Sequence, residues 1–154
     1  MIPKIKKILY ATDLSASAAH AFGYAISLAL CNEAKISIIN VYEKLTNNVN
    51  IQMRSNDFLT AKNKLTEMVK SKLLLYFKNE KQDESIYTKL IENIYVTSGM
   101  PVEAIIAQAK EGNYDLIVMG THGHGFLFSA LIGSTAKKMV QQSEIPVLVV
   151  RLPE

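Results

Sequence analysis

The residues best suited to chemistry are three glycines followed by two hydroxyl side chains. Gly120, Gly123 and Gly133 follow the spacing G-x-x-G-x9-G. Ser134 and Thr135 come directly after the last glycine and are good N-cap residues for a helix. Glycine has no Cβ atom, so its backbone can approach a ligand closely. A helix that begins here directs free amide N–H groups and its positive dipole end towards an anion, so the pattern predicts a phosphate-binding loop.

The loop differs from two familiar phosphate-binding motifs. The chain has no G-x-x-x-x-G-K-[ST] sequence, and Gly123-His124-Gly125 lacks the third glycine of a dinucleotide-binding fingerprint. A glycine turn after a strand and a Gly-Ser-Thr helix start are each ordinary features of α/β proteins. Their combination in one strand–loop–helix unit favours phosphate binding over a purely structural turn.

The carboxylate of Asp13 is a second candidate, because it lies between a predicted strand and a predicted helix. Ile8–Ala11 is a continuous apolar run, typical of a strand covered on both faces. Ser15 or Ser17 can cap the helix that follows. Asp13 could serve a local Asx turn or the helix entrance. It could also accept hydrogen bonds from ligand hydroxyls such as those of ribose, and both interpretations stay open.

The other reactive side chains form no recognisable site. His122 and His124 stand two residues apart without a nearby cysteine or carboxylate cluster, so a metal site is not predicted. His20 is interpreted as a surface residue of the first helix. Cys31 is the one cysteine, and we interpret it as a small packing residue in a reducing cytoplasm. No Ser-His-Asp or Cys-His arrangement is apparent.

Composition indicates one globular domain, residues 1–154. The chain has 154 residues, 49% of them hydrophobic, which is enough for a sizeable core. The net charge of +3 is small and dispersed, so nucleic acid is not an expected partner. No apolar run approaches the roughly 20 residues that span a membrane, and no signal peptide is recognised. A cytoplasmic location is expected.

Apolar periodicity predicts strands alternating with helices. The predicted strands are Ile5–Ala11, Ile36–Tyr42, a third near Asn93–Thr97 with an undefined start, Asp115–Gly120 and Val147–Arg151. Helical patterns separate them, and Glu43–Asn56 and Asn79–Ser85 are interpreted as a polar loop and a charged connector. This alternation indicates a parallel sheet with helices on both faces. Ligands of such sheets bind at the carboxyl ends of the strands. Asp13 and the glycine loop therefore share a crevice if strands one and four are neighbours.

The sequence resembles the universal stress protein (UspA-type) family over essentially its whole length. The resemblance rests on Ile8–Ser15, Gly99–Ile105, Asp115–Gly123, Gly133–Thr135 and Ile145–Arg151. The G-x-x-G-x9-G-[ST] pattern separates the ATP-binding branch of that family from its non-binding branch, and it is intact here. The resemblance implies a single-domain, open, five-stranded Rossmann-like sheet with strand order 3-2-1-4-5.

The resemblance also implies how ATP would be held. Asp13, helped by the backbone at Gly120, would bind the ribose hydroxyls, and Val41, after strand two, would offer backbone groups to adenine. The glycine loop would hold the phosphates with a magnesium ion that no protein side chain ligates. The implied site comprises Ala11, Thr12, Asp13, Val41, Met119, Gly120, Thr121, His122, Gly123, Gly133, Ser134 and Thr135.

Two positions depart from the family pattern. His124 stands where relatives often carry arginine, and Asn40 replaces a frequent histidine. Arginine pairs with phosphate through two parallel hydrogen bonds, whereas histidine is mostly neutral near pH 7. The departures therefore bear on the affinity for a triphosphate.

A homodimer formed by the fifth strands is a further implication. Val147, Leu148, Val149 and Val150 are all apolar, yet they form an edge strand in the implied order. An open apolar edge invites pairing with another chain, and two-fold antiparallel pairing closes on itself. The alternative is a monomer whose edge is covered by a loop or by residues 152–154.

Three functions stay open for the predicted site. The first is a nucleotide-dependent stress-response or signalling module with little or no ATP hydrolysis. The second is an enzyme that hydrolyses ATP slowly or transfers its phosphoryl or adenylyl group. The chain has neither a P-loop lysine nor the Ser-Gly-Gly-x-Asp-Ser turn of related ATP pyrophosphatases, so the first function is favoured. The third is a structural dimer that keeps the loop and binds nothing.

Overall fold

Strands and helices alternate along the chain. The computed structural model describes residues 1–42, 55–121 and 132–153, without the side chains of residues 55–58. The strands are β1 (Lys7–Ala11), β2 (Lys35–Tyr42), β3 (Ile91–Ser98), β4 (Leu116–Gly120) and β5 (Val147–Val150). The helices are α1 (Ala16–Asn32), α2 (Ser55–Asn79), α3 (Glu84–Leu90), α4 (Pro101–Glu111) and α5 (Ser134–Gln142). Within these ranges no helix combines the length and apolar character needed to cross a membrane.

The strands form one parallel sheet of five, in the order β3-β2-β1-β4-β5. This arrangement confirms the predicted fold class and strand order. β1 is paired with β2 on one side and with β4 on the other. The turns that follow β1 and β4 therefore open at the same edge of the sheet, which brings Asp13 and Gly120 to one crevice.

Apolar side chains cover both faces of the sheet. On one face α1, α2 and α3 pack over a core that includes Ile8, Ile36 and Val118. On the other face α4 and α5 pack over Leu9 and Ile117. Successive strand residues point to opposite faces, so a strand buried on both sides must be apolar throughout. This requirement explains the unbroken apolar run of β1.

One helix was not predicted from the sequence. Residues 84–90 form α3, and Asp83 caps it by accepting a hydrogen bond from the Ser85 amide at 2.9 Å. The residues before the third strand are therefore a helix rather than an extended or undefined stretch. β3 begins directly after α3, at Ile91, which defines the start that the sequence left open.

Two smaller expectations were wrong. α2 begins at Ser55, inside the stretch assigned to a polar loop, while residues 43–54 lie outside the described residues. Cys31 is exposed rather than packed. Ala25 and Ala29 lie on the buried side of α1. Cys31 follows Ala29 by two residues, a rotation of about 200° around the helix axis, so its side chain points away from that side.

Candidate ligand-binding site

A cavity of about 600 Å³ lies at the carboxyl ends of β1, β2 and β4. It is lined by all the predicted site residues that the structure describes: Ala11, Thr12, Asp13, Val41, Met119, Gly120, Thr121, Gly133, Ser134 and Thr135. The remaining predicted residues, His122 and Gly123, lie outside the described residues together with His124. Lining residues that the sequence did not assign to the site are Leu14, Ala18, Ile39, Asn40, Tyr42, Leu65, Pro101, Ile105 and Ala136.

The turn between β1 and α1 presents Asp13 through a series of local hydrogen bonds. Thr12 Oγ1 accepts from the Leu14 amide at 3.0 Å, and Asp13 Oδ1 accepts from the Ser15 amide at 3.0 Å. Ser15 caps α1 as predicted, because its Oγ accepts from the Ala18 amide at 3.2 Å. Leu14 has a φ of 66°, a left-handed conformation that is uncommon for leucine. Asp13 therefore makes the local turn and also borders the cavity.

Gly120 allows the end of β4 to touch the first turn of α1. A Cβ atom on Gly120 would lie 2.5 Å from Ser17 Oγ and 2.8 Å from the Ser17 carbonyl carbon. Backbone atoms cannot move aside as a flexible side chain can, so any larger residue would push strand and helix apart. Gly120 is thus required by packing, and it borders the cavity as well.

The end of β2 directs backbone groups towards the cavity. The Ile39 carbonyl accepts from the Thr12 amide at 3.0 Å, on the β1 side of the strand. Backbone groups of a strand alternate between its two sides, so Val41 directs its N–H and C=O to that same side, beyond the end of β1. On the other side the Tyr42 carbonyl accepts from the Gly99 amide at 3.2 Å, as this alternation requires. Val41 lies within β2, as the predicted strand Ile36–Tyr42 has it, and not after the strand, as the resemblance placed it.

α5 begins at the cavity without a side-chain cap. Gly133 is its N-cap residue, with φ −61° and ψ 157°. Ser134 and Thr135 are the first two helical residues rather than the caps that the sequence predicted. The reason is that the Gly133 carbonyl already accepts the first intrahelical bond, from the Lys137 amide at 3.1 Å. The first-turn amides of α5 have no intrahelical acceptor, and the N-cap residue Gly133 has no side chain that could accept from them.

The described lining combines three kinds of groups. Apolar surface comes from Ile39, Val41, Pro101, Ile105 and Met119, and hydroxyl groups come from Thr12, Thr121, Ser134 and Thr135. Asp13 is the one charged side chain in the described part of the lining. Across the described ranges, no three His, Cys, Asp or Glu side chains gather where they could hold a metal ion. The cavity therefore suits a molecule with an apolar ring, hydroxyl groups and an anionic end.

Known proteins resemble this chain over nearly its whole length. The sequence model of the Universal stress protein family matches residues 4–151. Universal stress protein MJ0577 of Methanocaldococcus jannaschii is 32% identical over 158 residues, covering 95% of this chain and 94% of the relative. A solved structure of MJ0577 has a TM-score of 0.71 at 28% identity and covers 99% of each chain.

Two further solved structures share the fold. A universal stress protein in complex with cAMP has a TM-score of 0.59 at 22% identity, covering 97% of this chain and 98% of that chain. The universal stress protein from Archaeoglobus fulgidus in complex with dAMP has a TM-score of 0.57 at 19% identity, covering 96% and 98% of the two chains. At these identities the likeness shows the fold alone. The match over residues 4–151 and the full-length relative go further, and they show that this chain belongs to the universal stress protein family.

Proposed function

We propose that the cavity binds an adenine nucleotide, with ATP and Mg²⁺ as the ligand pair. The protein would then act in the ATP-binding branch of its family, as a nucleotide-dependent stress-response module with little or no hydrolysis. One observation carries the proposal. A single cavity gathers the uncapped start of α5, the carboxylate of Asp13 and the cavity-facing backbone of Val41. Each of these suits one part of a nucleotide.

The start of α5 suits the phosphates. Its first-turn amides are donors without intrahelical acceptors, and the helix dipole favours negative charge at this end. The hydroxyls of Ser134 and Thr135 add donors at the same place. These groups are all neutral, so Mg²⁺ on the phosphates would supply the positive charge that the described lining residues do not. Gly133, Ser134 and Thr135 would hold the phosphates that carry this metal.

Asp13 and Val41 suit the nucleoside. A carboxylate accepts several hydrogen bonds at once, so the bond from Ser15 is compatible with bonds from ribose hydroxyls. The N–H and C=O of Val41 offer one donor and one acceptor, which matches the ring nitrogen and the amino group of adenine. Nearby apolar residues, Ile39, Ile105 and Met119, provide surface for the base. The cAMP and dAMP complexes of two structural neighbours support this class of ligand.

The binding function is favoured over catalysis by the character of the described lining. Phosphoryl transfer relies on positioned cations and on a placed nucleophile or water. The described lining residues contribute one carboxylate and no lysine or arginine. A structural dimer that binds nothing is disfavoured because the start of α5, the hydroxyls of Ser134 and Thr135 and the carboxylate of Asp13 all border one cavity.

Calorimetric titration with MgATP tests the proposal. Asp13→Ala should weaken binding by roughly 1.5–3 kcal/mol, about 10- to 150-fold in Kd, because charge-assisted hydrogen bonds to ribose are lost. Gly133→Val should also weaken binding, since it places a branched side chain where phosphate meets backbone. Asp83→Ala is the matched control. Asp83 makes the same turn bond, to the Ser85 amide at 2.9 Å, outside the cavity lining.

Three results would contradict the proposal. A wild-type protein that binds MgATP more weakly than millimolar would show that the nucleotide is not its ligand. If Asp83→Ala weakens binding as much as Asp13→Ala does, the effect of Asp13→Ala comes from folding and not from a contact with the nucleotide. Measurements with radiolabelled ATP in excess over the protein address catalysis. Multiple turnovers per second that Asp13→Ala abolishes would place the protein among enzymes.

We also propose that the protein is a homodimer joined through β5. Val147, Leu148 and Val149 are half-buried, although β5 stands last in the sheet order. Together with Val150 they present an apolar strand at the sheet edge, and pairing with a second copy would cover it.

A further inference from the structure

Asn40 makes a buried hydrogen bond to the turn that carries Asp13. Its side chain lies on β2 and is 6% exposed. Its Nδ2 donates to the carbonyl oxygen of Thr12 at 2.9 Å, across 28 residues of sequence. A carbonyl only accepts hydrogen bonds, so the nitrogen of the amide must face it. The bond joins β2 to the residue directly before Asp13.

The position of this bond matters because the turn leaves the sheet here. The Thr12 amide still donates to Ile39 of β2, whereas the bonds of Leu14 and Ser15 to the side chains of Thr12 and Asp13 are local to the turn. Local bonds set the shape of the turn but not its place relative to the sheet. Leu14 also has a φ of 66°, and such backbone conformations persist only where surrounding contacts enforce them. Asn40 supplies such a contact from a neighbouring strand.

We propose that Asn40 is a positioning residue for Asp13 and thereby governs recognition of the ribose. This inference rests on the proposed nucleotide function. Removing the amide leaves the Thr12 carbonyl buried without its partner, and the turn can then shift to regain one. Asp13 moves with the turn. The effect therefore falls on the ribose contacts, and the start of α5 keeps its place.

The test compares MgATP with Mg-2′,3′-dideoxy-ATP, which lacks the ribose hydroxyls. Wild type should bind ATP at least about tenfold tighter than the dideoxy analogue, as expected when hydrogen bonds to a charged acceptor are lost. Asn40→Leu should reduce this ratio to within about twofold of unity, chiefly by weakening ATP. Asn40→His should restore most of the ratio, because an imidazole N–H can donate to the same carbonyl.

Asn32→Leu is the matched control. Asn32 Nδ2 donates to the Leu28 carbonyl at 2.9 Å, so the substitution removes the same kind of bond at the far end of α1. Its ratio should equal that of wild type. If Asn40→Leu does not fold, Asn40→Asp replaces it, since a carboxylate keeps the shape and loses the donor. In a protein that already carries Asp13→Ala, adding Asn40→Asp should leave the ratio of ATP affinity to dideoxy-ATP affinity unchanged.

The outcomes separate this inference from the proposed function. An Asn40 variant that weakens both nucleotides by the same factor, and so preserves the ratio, would overturn the positioning role while nucleotide binding stands. Wild type that binds ATP and the analogue equally would also overturn it, because Asp13 would not contact ribose. Wild type that binds neither would overturn the proposed function itself, and the positioning role with it.

Discussion

Tyr10 lies beneath the turn that carries Asp13, and its hydroxyl is engaged by the protein. Tyr10 Oη donates to the Ala18 carbonyl at 2.7 Å, and its ring stacks on Phe22 with centroids 4.9 Å apart. Burial raises the pKa of Tyr10 well above its ordinary value, and the negative charge of Asp13 raises it further. A hydrogen bond with Thr12 acts in the opposite direction. The neutral phenol is therefore the form that the folded chain accommodates.

Replacing Tyr10 with phenylalanine should change stability in a way that depends on pH. Near pH 7 the loss of the bond to Ala18 should lower the free energy of unfolding by about 1 kcal/mol. The raised pKa favours folding below about pH 10, where tyrosine is neutral in both states, and this contribution is lost as pH rises further because the unfolded chain deprotonates first. The difference between Tyr10→Phe and wild type should therefore shrink or reverse near pH 11.

Urea denaturation followed by circular dichroism at the two pH values measures this difference. Tyr24→Phe is the control for removing a phenol hydroxyl as such, because Tyr24 is 50% exposed. A stability gap between Tyr10→Phe and wild type that stays constant from pH 7 to pH 11 would contradict the assignment.

At the scale of whole elements, the start of α5 and the ends of three other helices lie at opposite ends of the sheet and have different partners. At the cavity end α5 begins without a side-chain cap. At the opposite end, lysines from the strand starts donate to carbonyls where helices finish. Lys6 Nζ donates to the Asn32 carbonyl of α1 at 2.6 Å, and Lys7 Nζ donates to the Gly112 carbonyl that ends α4. Lys35 reaches the last turn of α3 in the same way. Positive charge at helix C-termini is stabilising, so the end away from the cavity carries the stabilising charges.

Lys7→Met should therefore lower the stability of the fold and leave the cavity unchanged. Lys7 is half-buried, and its ammonium also lies 4.8 Å from the centre of the Tyr114 ring. Methionine keeps the apolar stem and removes the charge, which should cost roughly 1.5–3 kcal/mol in the free energy of unfolding. Lys6→Met is the control, because the Lys6 side chain is 52% exposed and water replaces its interactions at little cost. Urea denaturation gives both values, and equal losses in the two variants would argue against the role of Lys7.

At the scale of the molecule, backbone geometry directs one side of β5 away from the sheet, and no described strand pairs with that side. The Pro146 carbonyl accepts from the Ile117 amide of β4 at 2.9 Å, and the Val150 carbonyl accepts from the amide of Thr121, directly after β4, at 3.1 Å. The backbone N–H and C=O groups of the even-numbered residues of β5 thus point towards β4. The alternation along a strand then directs the N–H of Val149 away from β4, towards the sheet edge. This outward N–H is the donor that a second copy would use in the proposed dimer.

Val149→Pro should convert the proposed dimer into a folded monomer. Proline removes the outward donor, and an edge strand tolerates it where the lost N–H faces away from the sheet. Val149→Ala is the matched control, because it keeps the N–H and reduces only the side chain. Light scattering at micromolar concentration reports the molecular mass. A monomeric wild type, or a Val149→Pro variant that stays dimeric, would show that β5 is not the interface.

Local patterns in the sequence were enough to predict the fold class and the edge of the sheet where the cavity lies. Short apolar runs alternating with helical periods indicate a parallel sheet, and ligands of such sheets meet the carboxyl ends of the strands. Asp13, Gly120 and Gly133 are each placed by this rule, because each follows a strand or begins a helix. The segment of His122, Gly123 and His124 lies outside the described residues, so its part in the site stays a prediction.

The tertiary structure decided whatever depends on residues distant in sequence. In the sequence, Asn40 is notable only as a departure from a family pattern. The structure shows that its side-chain amide donates a hydrogen bond to the carbonyl of Thr12, 28 residues away. Leu65 and Ile105 line the cavity from helices whose apolar stripes, in the sequence, indicate only a buried side. The cap of α5 falls on Gly133 rather than on a hydroxyl residue, because the Gly133 amide donates to the Thr121 carbonyl at 2.7 Å while the Gly133 carbonyl accepts the first intrahelical bond, from Lys137. Periodicity records which side of an element is buried, whereas packing between elements decides what that side touches.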